Sequence, residues 1–217
     1  SLDFHLVRAK LRAAQGRPAE AIKDFTALLA ERKFVSEPAI RYGLATAFHR
    51  DRDWPAAQRE IDAARALGQA SAMLDHLAAD VRIKGNKADE GLRIYREAMA
   101  RYPQNRALIY GYGSALLEAR RPGDALRFSE LQFQTQSTDL RLHRMRAASH
   151  AALGQRSMQH RALAEVFALQ GQTAGAIEQL ELARKAGDSN FYETSAIDAR
   201  LRELKQRRLE ELKETRN

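Results

Sequence analysis

The chain has 217 residues, of which 44% are hydrophobic, so it is long enough to bury a continuous core. It has no cysteine, which excludes disulfides and thiolate chemistry. The net charge is +8, but acidic residues are interleaved with the basic ones, so we interpret the charge as solvated helix faces. No apolar run approaches the roughly 20 residues that a membrane span needs.

Helical segments follow one another along the whole chain. With only 12 glycines and 5 prolines, turn residues are few, and the abundant alanine and leucine favour helix. Glycine after a helix end and proline in the first turn of the next helix mark the boundaries. In chain order, the predicted helices span residues 2–15, 18–32, 38–50, 55–67, 71–84, 88–101, 106–120, 123–135, 139–153, 156–170, 173–186 and 193–214.

A small residue opens the second helix of each predicted pair and recurs at a regular interval. Ala57, Gly91 and Ala125 are spaced 34 residues apart, which is the tetratricopeptide period. Ala21 lies 36 residues before Ala57, and Ala176 lies 51 residues after Ala125, which is one and a half periods. We therefore predict an extra, unpaired helix between Ala125 and Ala176.

The small residue is placed where the two helices of a pair approach most closely, because a large side chain there would hold them apart. A bulkier residue follows one helical turn later, where the gap widens. These residues are Phe25, Ile61, Tyr95 and Leu180. A single pair cannot bury its apolar face, so we expect neighbouring pairs to stack.

The predicted fold is an all-α tetratricopeptide-repeat solenoid of about twelve antiparallel helices. We predict a single domain over residues 1–217, with irregular pairing near residues 136–156 and a capping helix over residues 193–214. The apolar residues of the capping helix are Ile197, Leu201, Leu204, Leu209 and Leu212. At the other end the helical pattern is already under way at Leu2, so we expect a region upstream.

Sequence motifs for catalysis or metal binding are missing. No HExxH motif and no Cys/His cluster with zinc spacing occurs. His76 and Asp80 are one turn apart and could share a metal, but without further ligands an exposed polar pair is the favoured interpretation. His143 and His150 lack a carboxylate to orient them, and glycines 111 and 113 lie inside an apolar helix, where they favour close packing and not phosphate binding. We expect no catalytic residue, metal or cofactor in this chain.

The first helices of the pairs are predicted to line a concave groove that binds an extended or helical peptide. Their candidate groove residues are Tyr42, Thr46, His49, Met73, His76, Asp80, Ala107, Tyr110 and Ser114. For Tyr42 and Tyr110, packing between helices is an equal alternative. The lysine/asparagine/arginine clamp of chaperone-binding adaptors is not recognisable at Tyr42, Thr46 and Leu77, which disfavours that partner class.

The tail of the chain carries a more specific signal. Residues 174–204, AGAIEQLELARKAGDSNFYETSAIDARLREL, closely resemble the C-terminal end of periplasmic M48-family zinc metallopeptidases with tetratricopeptide repeats, the BepA-like proteases. The stretches FHLVRAKL, RYGLA, YPQNRALIYGY and QHRALAEVFALQGQ also resemble the repeat region of that family. The resemblance implies a C-terminal repeat domain whose zinc-binding protease domain, with its HExxH motif, is absent from this chain. It also implies a periplasmic location.

These features together lead to a functional hypothesis. We expect a non-catalytic protein–protein interaction domain that recruits or positions outer-membrane protein substrates for an attached zinc metallopeptidase domain. The expected partners are that protease domain and outer-membrane proteins or their assembly machinery, with no specific nucleic acid and no membrane-spanning segment. The alternative is a stand-alone tetratricopeptide scaffold or adaptor that binds a peptide in its concave face. Nucleic-acid binding, motivated by the net charge of +8, is a third and weaker interpretation.

Overall fold

The computed structural model describes residues 1–68 and 70–214. Over these residues the chain forms twelve α-helices and no strand. The helices are α1 (Leu2–Ala14), α2 (Pro18–Ala30), α3 (Glu37–Arg50), α4 (Trp54–Ala66), α5 (Ala72–Lys84), α6 (Ala88–Arg101), α7 (Arg106–Glu118), α8 (Pro122–Phe133), α9 (Leu140–Ala152), α10 (Arg156–Leu169), α11 (Thr173–Ala186) and α12 (Phe191–Glu214). The all-α prediction is confirmed, and each helix lies within two residues of its predicted bounds.

Short polar side chains explain why several helices begin where they do. The Asp53 carboxylate accepts a hydrogen bond from the Ala56 amide at 3.0 Å, and Ser71 Oγ accepts one from the Met73 amide at 3.2 Å. Asp139 caps α9 in the same way. These bonds satisfy amide groups that have no partner inside the first turn of a helix.

The helices form two compact units, Ser1–Ala115 and Leu116–Asn217. In the first unit α3 packs on α4 and α5 packs on α6, as the repeat period predicts. The first pair differs, because α1 packs mainly on α3 and only lightly on α2. The prediction that residues 1–217 form one domain stays a prediction.

Small and bulky residues in the first unit occupy the positions that the period assigns to them. Ala57 is fully buried at the close approach of α4 to α3, and Ile61 is fully buried one turn later. Phe25 and Tyr95 are each 1% exposed. Burying an aromatic or large aliphatic side chain contributes about 1.5–3 kcal/mol each, so these residues are the main packing anchors of the first unit.

The second unit is a series of neighbouring helices in contact. Helix α9 lies in the region where the sequence predicts an extra helix, and it packs on both α8 and α10. Helix α10 packs on α11, and α11 packs on α12. The spacing of 51 residues between Ala125 and Ala176 therefore accommodates one further helix.

The C-terminal helix α12 caps this series with three of its five apolar residues. Ile197, Leu201 and Leu204 are buried in a cluster with α10 and α11 residues, including Leu180. The prediction was wrong for Leu209 and Leu212, which are 55% and 43% exposed. Leu209 lies five residues after Leu204, which is more than one turn, so it points away from the buried face.

Leu212 lies on the part of α12 that extends past the beginning of α11. Thr173, the first residue of α11, donates a hydrogen bond from Oγ1 to Glu211 Oε1 at 2.5 Å. Glu211 of α12 therefore lies beside the first residue of α11. The residues of α12 that follow Glu211 have no turn of α11 to pack against. Among the described residues, no helix combines the length and the apolar character that a membrane crossing requires.

Candidate functional site

Three of the predicted groove residues come together where α3 lies beside α5. His49 Nε2, in the last turn of α3, lies 2.6 Å from Asp80 Oδ2 in α5, and both side chains are half-buried. The His49 ring also packs edge-on against Trp54, with 5.1 Å between ring centroids. His76 lies one turn before Asp80 and faces the same cluster.

Charge keeps the Asp80 carboxyl ionised. Burial alone would raise its pKa, but the hydrogen bond and the charge of His49, together with the charge of Lys84, outweigh burial, and the pKa lies below its usual range. Burial lowers the pKa of His76, and the nearby Asp80 charge opposes this only in part. At neutral pH the cluster thus contains an ionised carboxylate beside a neutral His76.

The far side of His76 is occupied by Tyr95. The Tyr95 hydroxyl lies 3.1 Å from His76 Nδ1. A Cβ at position 111 would lie 2.6 Å from Tyr95 Oη and 2.8 Å from His76 Nδ1, so only glycine lets α7 approach here. The packing role predicted for Gly111 is therefore confirmed.

The prediction that His76 and Asp80 form an exposed pair was wrong. Both side chains are half-buried, and each one bonds to a different partner, Tyr95 and His49. Within residues 1–68 and 70–214, no three His, Cys, Asp or Glu side chains are grouped so that they could hold a metal ion. The cluster is a hydrogen-bonded structural unit that crosses from α3 through α5 to α6.

The remaining candidate residues differ in exposure. Tyr42 is 3% exposed, and burial raises the pKa of its hydroxyl to about 12, so its ring packs between helices as the alternative had it. Thr46 donates a hydrogen bond to the Tyr42 carbonyl at 2.8 Å. Met73 and Tyr110 are half-buried and Ser114 is exposed. A groove-lining role for these residues stays a prediction.

A concave site that the sequence did not predict lies between α1, α2 and the start of α3. We call it the α1–α3 cleft. Its volume is about 610 Å³. It lies where α1 packs mainly on α3 and only lightly on α2. The cleft is lined by His5, Arg8, Ala9, Arg12, Phe25, Leu28, Arg32, Lys33, Phe34, Val35, Ser36, Ala39 and Ile40.

The floor of the cleft is apolar, and the buried ring of Phe25 forms its base. The Phe25 ring is buried, and the Arg12 guanidinium lies 5.4 Å from the ring centroid, within the range of a cation–π interaction. Arg12 also pairs with Asp24 at 3.3 Å. Val35, which also lines the cleft, is 82% exposed.

The walls of the cleft are cationic. Among the described residues, no acidic side chain lines the cleft, and Arg8 and Arg32 form no ion pair. Lys33 pairs with Glu31 at 2.6 Å, and His5 Nδ1 is buried without a hydrogen-bond partner. Such a surface attracts an anionic group, while its apolar floor can take a hydrocarbon side chain.

The sequence carried only part of the signal for this cleft. His5, Arg8 and Arg12 are spaced three and four residues apart, which places them on one face of α1. The pattern does not reveal that Arg32 and Lys33, at the end of α2, face the same space. That juxtaposition depends on the displaced packing of α1.

Stacked helix pairs that leave an open cleft define a class of proteins that bind other proteins. The sequence matches the tetratricopeptide repeat family over residues 6–72 and 76–128, which is more than half of the chain. The chain belongs to the tetratricopeptide repeat family. It is a protein–protein interaction domain of the tetratricopeptide type.

Three solved structures are similar in fold. The structure titled "MamA MSR-1 C2" is 14% identical, with a TM-score of 0.57 over 78% of this chain and 97% of that chain. YrrB, described as a TPR protein with an unusual peptide-binding site, is 14% identical, with a TM-score of 0.56 over 82% and 91%. A tetratricopeptide repeat protein from Parabacteroides merdae ATCC 43184 is 12% identical, with a TM-score of 0.59 over 94% and 86%. No curated protein sequence matches significantly.

Proposed function

We propose that this chain binds an acidic, partly apolar peptide segment of a partner protein in the α1–α3 cleft. The observation that carries the proposal is the composition of the cleft, which combines apolar residues with cationic side chains, of which Arg8 and Arg32 are unpaired, and which no described acidic side chain lines. Arg8 and Arg32 bind carboxylates of the peptide. Val35 and Ile40, the more accessible apolar residues of the lining, contact an apolar side chain beside those carboxylates.

The charge of the cleft predicts how binding responds to salt. Exposed charges are screened over about 8 Å at physiological ionic strength, so the affinity falls as salt increases. Charge complementarity also accelerates association and rejects basic segments. The description of YrrB as peptide-binding supports a peptide as the type of ligand for this fold.

The C-terminal resemblance extends the proposal to a biological role. The chain recruits or positions outer-membrane proteins, or their assembly machinery, for a periplasmic M48-type zinc metallopeptidase domain. What supports this is the similarity of residues 174–204 to the end of such proteases. The zinc ion and its ligands belong to the protease domain, since this chain has no HExxH motif.

A stand-alone adaptor would use the same cleft. The reading frame upstream of Ser1 separates the two roles, because an HExxH motif there supports the protease and its absence supports the adaptor. Binding is the second criterion. If the full protease binds outer-membrane β-barrel proteins or their assembly machinery and this chain alone does not, the recruitment role fails.

Peptide binding is tested with an array of overlapping synthetic peptides from outer-membrane β-barrel proteins. We expect the bound peptides to be enriched in Asp or Glu next to apolar residues. The best peptide is then titrated by fluorescence anisotropy against the wild type and against an Arg8→Glu/Arg32→Glu variant. Reversal of two charges in the cleft is expected to weaken binding at least about tenfold, since each lost charged contact is worth about 1.5–3 kcal/mol.

A matched control reverses two other charges. Arg59 and Arg96 are exposed, lie on α4 and α6, and form no ion pair with a described residue. The Arg59→Glu/Arg96→Glu variant has the same net charge as the cleft variant and is expected to bind the peptide as the wild type does. Equal losses in the two variants, or an array that selects basic peptides, would contradict the proposal.

A further inference from the structure

A small polar pocket lies between α9 and α10 in the second unit. Its volume is about 60 Å³, enough for a single small ion. It is lined by His143, Arg146, Met158, Arg161, Ala162 and Glu165. Three of these side chains carry hydrogen-bond donors or positive charge, and Glu165 is the one acidic residue of the lining.

The two arginines of the pocket have no anionic partner. Arg146 and Arg161 form no hydrogen bond or ion pair with any residue in the described part of the chain. Arg146 is half-buried, and its guanidinium lies 5.5 Å from the centroid of the Phe133 ring. Burial and the positive charge of Arg161 lower the pKa of Arg146, although Glu130 and Glu165 oppose this. A partly buried cation without a partner is costly, and a bound anion would remove that cost.

The one carboxylate of the pocket is already engaged. Arg200 of α12 donates to Glu165 with both arms of its guanidinium, from Nε to Oε1 at 2.9 Å and from Nη2 to Oε2 at 2.8 Å. This bidentate pair occupies both carboxylate oxygens. Glu165 thus forms its ion pair with Arg200 and none with Arg146 or Arg161, although its charge still acts on Arg146.

His143 presents a further unsatisfied atom. Its Nε2 lies 3.0 Å from the Ser137 carbonyl oxygen, an acceptor, so Nε2 carries the proton and donates. Its Nδ1 is buried without a partner. If the ring takes up a second proton, Nδ1–H becomes a donor.

We propose that this pocket binds one small oxyanion, a phosphate or a carboxylate group, through the guanidinium groups of Arg146 and Arg161, with His143 Nδ1 as a third contact once it is protonated. Guanidinium groups match the oxygen geometry of both anions and bind them by charge-assisted hydrogen bonds. The site is independent of the peptide proposed for the α1–α3 cleft. Its residues lie on two packed helices, so it is formed before the ligand arrives.

The anion is expected to bind more tightly as the pH falls, because it favours the doubly protonated His143. The charged groups that face this ring are Arg146 and Asp139 from its own helix region and Glu165 from α10. Arg146 opposes protonation in the empty pocket, and an anion between the two groups reverses that effect. Phe133 of α8, which packs on the His143 ring at 4.5 Å between centroids, carries no charge.

The test is isothermal titration of the full chain with inorganic phosphate and, in a second arm, with acetate, in chloride buffer of matched ionic strength. We expect saturable binding of one anion per chain, weakened at least about tenfold in Arg146→Gln and in Arg161→Gln, which is about 1.4 kcal/mol. Tighter binding of phosphate identifies a phosphate site, and tighter binding of acetate identifies a carboxylate site. Binding of neither anion overturns the proposal.

Arg144→Gln is the matched control, because Arg144 is exposed on the same helix and lies outside the pocket. It is expected to bind the anion as the wild type does. An equal loss in Arg144→Gln and Arg161→Gln overturns the proposal, since it means that overall charge and not the pocket binds the anion. Far-UV circular dichroism shows whether each variant is folded, and Arg161→Gln tests the pocket even if Arg146→Gln does not fold.

Discussion

The ring of Phe25 in α2 lies directly against the backbone of Gly43 in α3. A Cβ at position 43 would lie 2.5 Å from Phe25 Cζ and 2.6 Å from Cε1, closer than real Cβ contacts. Phe25 is 1% exposed and lines the base of the α1–α3 cleft, so the missing side chain of Gly43 leaves room for this ring beneath the cleft.

A Gly43→Ala substitution is therefore expected to destabilise the first unit. Forcing a methyl group into a packed core costs about 1–3 kcal/mol. The better helix propensity of alanine offsets about 1 kcal/mol of this. Urea unfolding followed by far-UV circular dichroism measures the change. Gly123→Ala is the control, because a Cβ there meets only Arg127 Nη1 at 3.8 Å, and it should be neutral or stabilising. A Gly43→Ala variant as stable as Gly123→Ala would contradict the packing described.

The capping function of α12 depends on one face of the helix. Leu201 is 4% exposed and Leu209 is 55% exposed on the same helix. Leu201→Ala should lower the free energy of unfolding by about 2–5 kcal/mol, because it leaves a cavity in the cluster. Leu209→Ala should change it by no more than about 0.5 kcal/mol. Chemical denaturation of both variants decides the point, and similar losses would show that the capping face is assigned incorrectly.

Two buried histidines, His143 and His150, and the half-buried His76 make the stability of the protein depend on pH. Burial lowers the pKa of His76, His143 and His150 below the ordinary value of about 6.5. As the pH falls below about 6.5, the unfolded chain binds protons that the folded chain does not, so the free energy of unfolding decreases. The stabilisation is fully present above about pH 6.5. For each histidine, the free energy of unfolding falls by up to about 1.4 kcal/mol per pH unit. The decrease ends when the pH reaches the pKa of that histidine in the folded state.

This pH dependence is measured as urea unfolding of the wild type and of His150→Gln between about pH 7.5 and about pH 5. His150 is 4% exposed, so its removal should make the decrease shallower whatever it does to stability at neutral pH. The Asp80 carboxyl, whose pKa is lowered, loses its contribution only as the pH falls below about 4, outside this range. Parallel curves for the wild type and the variant would show that His150 is not held neutral by burial.

A carboxylate from a loop caps α10. Asp188, just after α11, accepts hydrogen bonds from the backbone amides of Arg156 at 2.6 Å and Ser157 at 2.8 Å. Bonds with Ser157 and Arg156 lower the pKa of Asp188. Asp188→Ala is expected to lower the free energy of unfolding by about 0.5–2 kcal/mol, the usual cost of losing an N-terminal cap. Asp188→Asn, which keeps an acceptor oxygen, should lose less. Thermal unfolding of the two variants beside Glu178→Ala, an exposed change on α11, provides the comparison. If Asp188→Ala loses no more than Glu178→Ala, the cap does not stabilise α10.

The repeat period predicts only which candidate residues lie on the first helices of the pairs. The period assigned His49 and Asp80 to successive first helices, but their hydrogen bond to each other was not predicted. Tyr42 occupies a comparable position, yet it is buried, because exposure along a helix depends on how the neighbouring helix is rotated. The pocket around Arg146 could not be predicted, since His143 and Arg146 share a helix but Arg161 reaches them from α10.

The sequence by itself determined the helices, their pairing period and the absence of an HExxH motif. These properties are local, because turn residues end helices and small residues recur where helices cross. Only the tertiary structure decided that α1 packs on α3 and opens a cationic cleft over Phe25, and that Glu165 turns to Arg200 and leaves Arg146 without a carboxylate. Both outcomes depend on which of several possible partners a side chain meets in space, and the spacing of residues along the chain does not determine that choice.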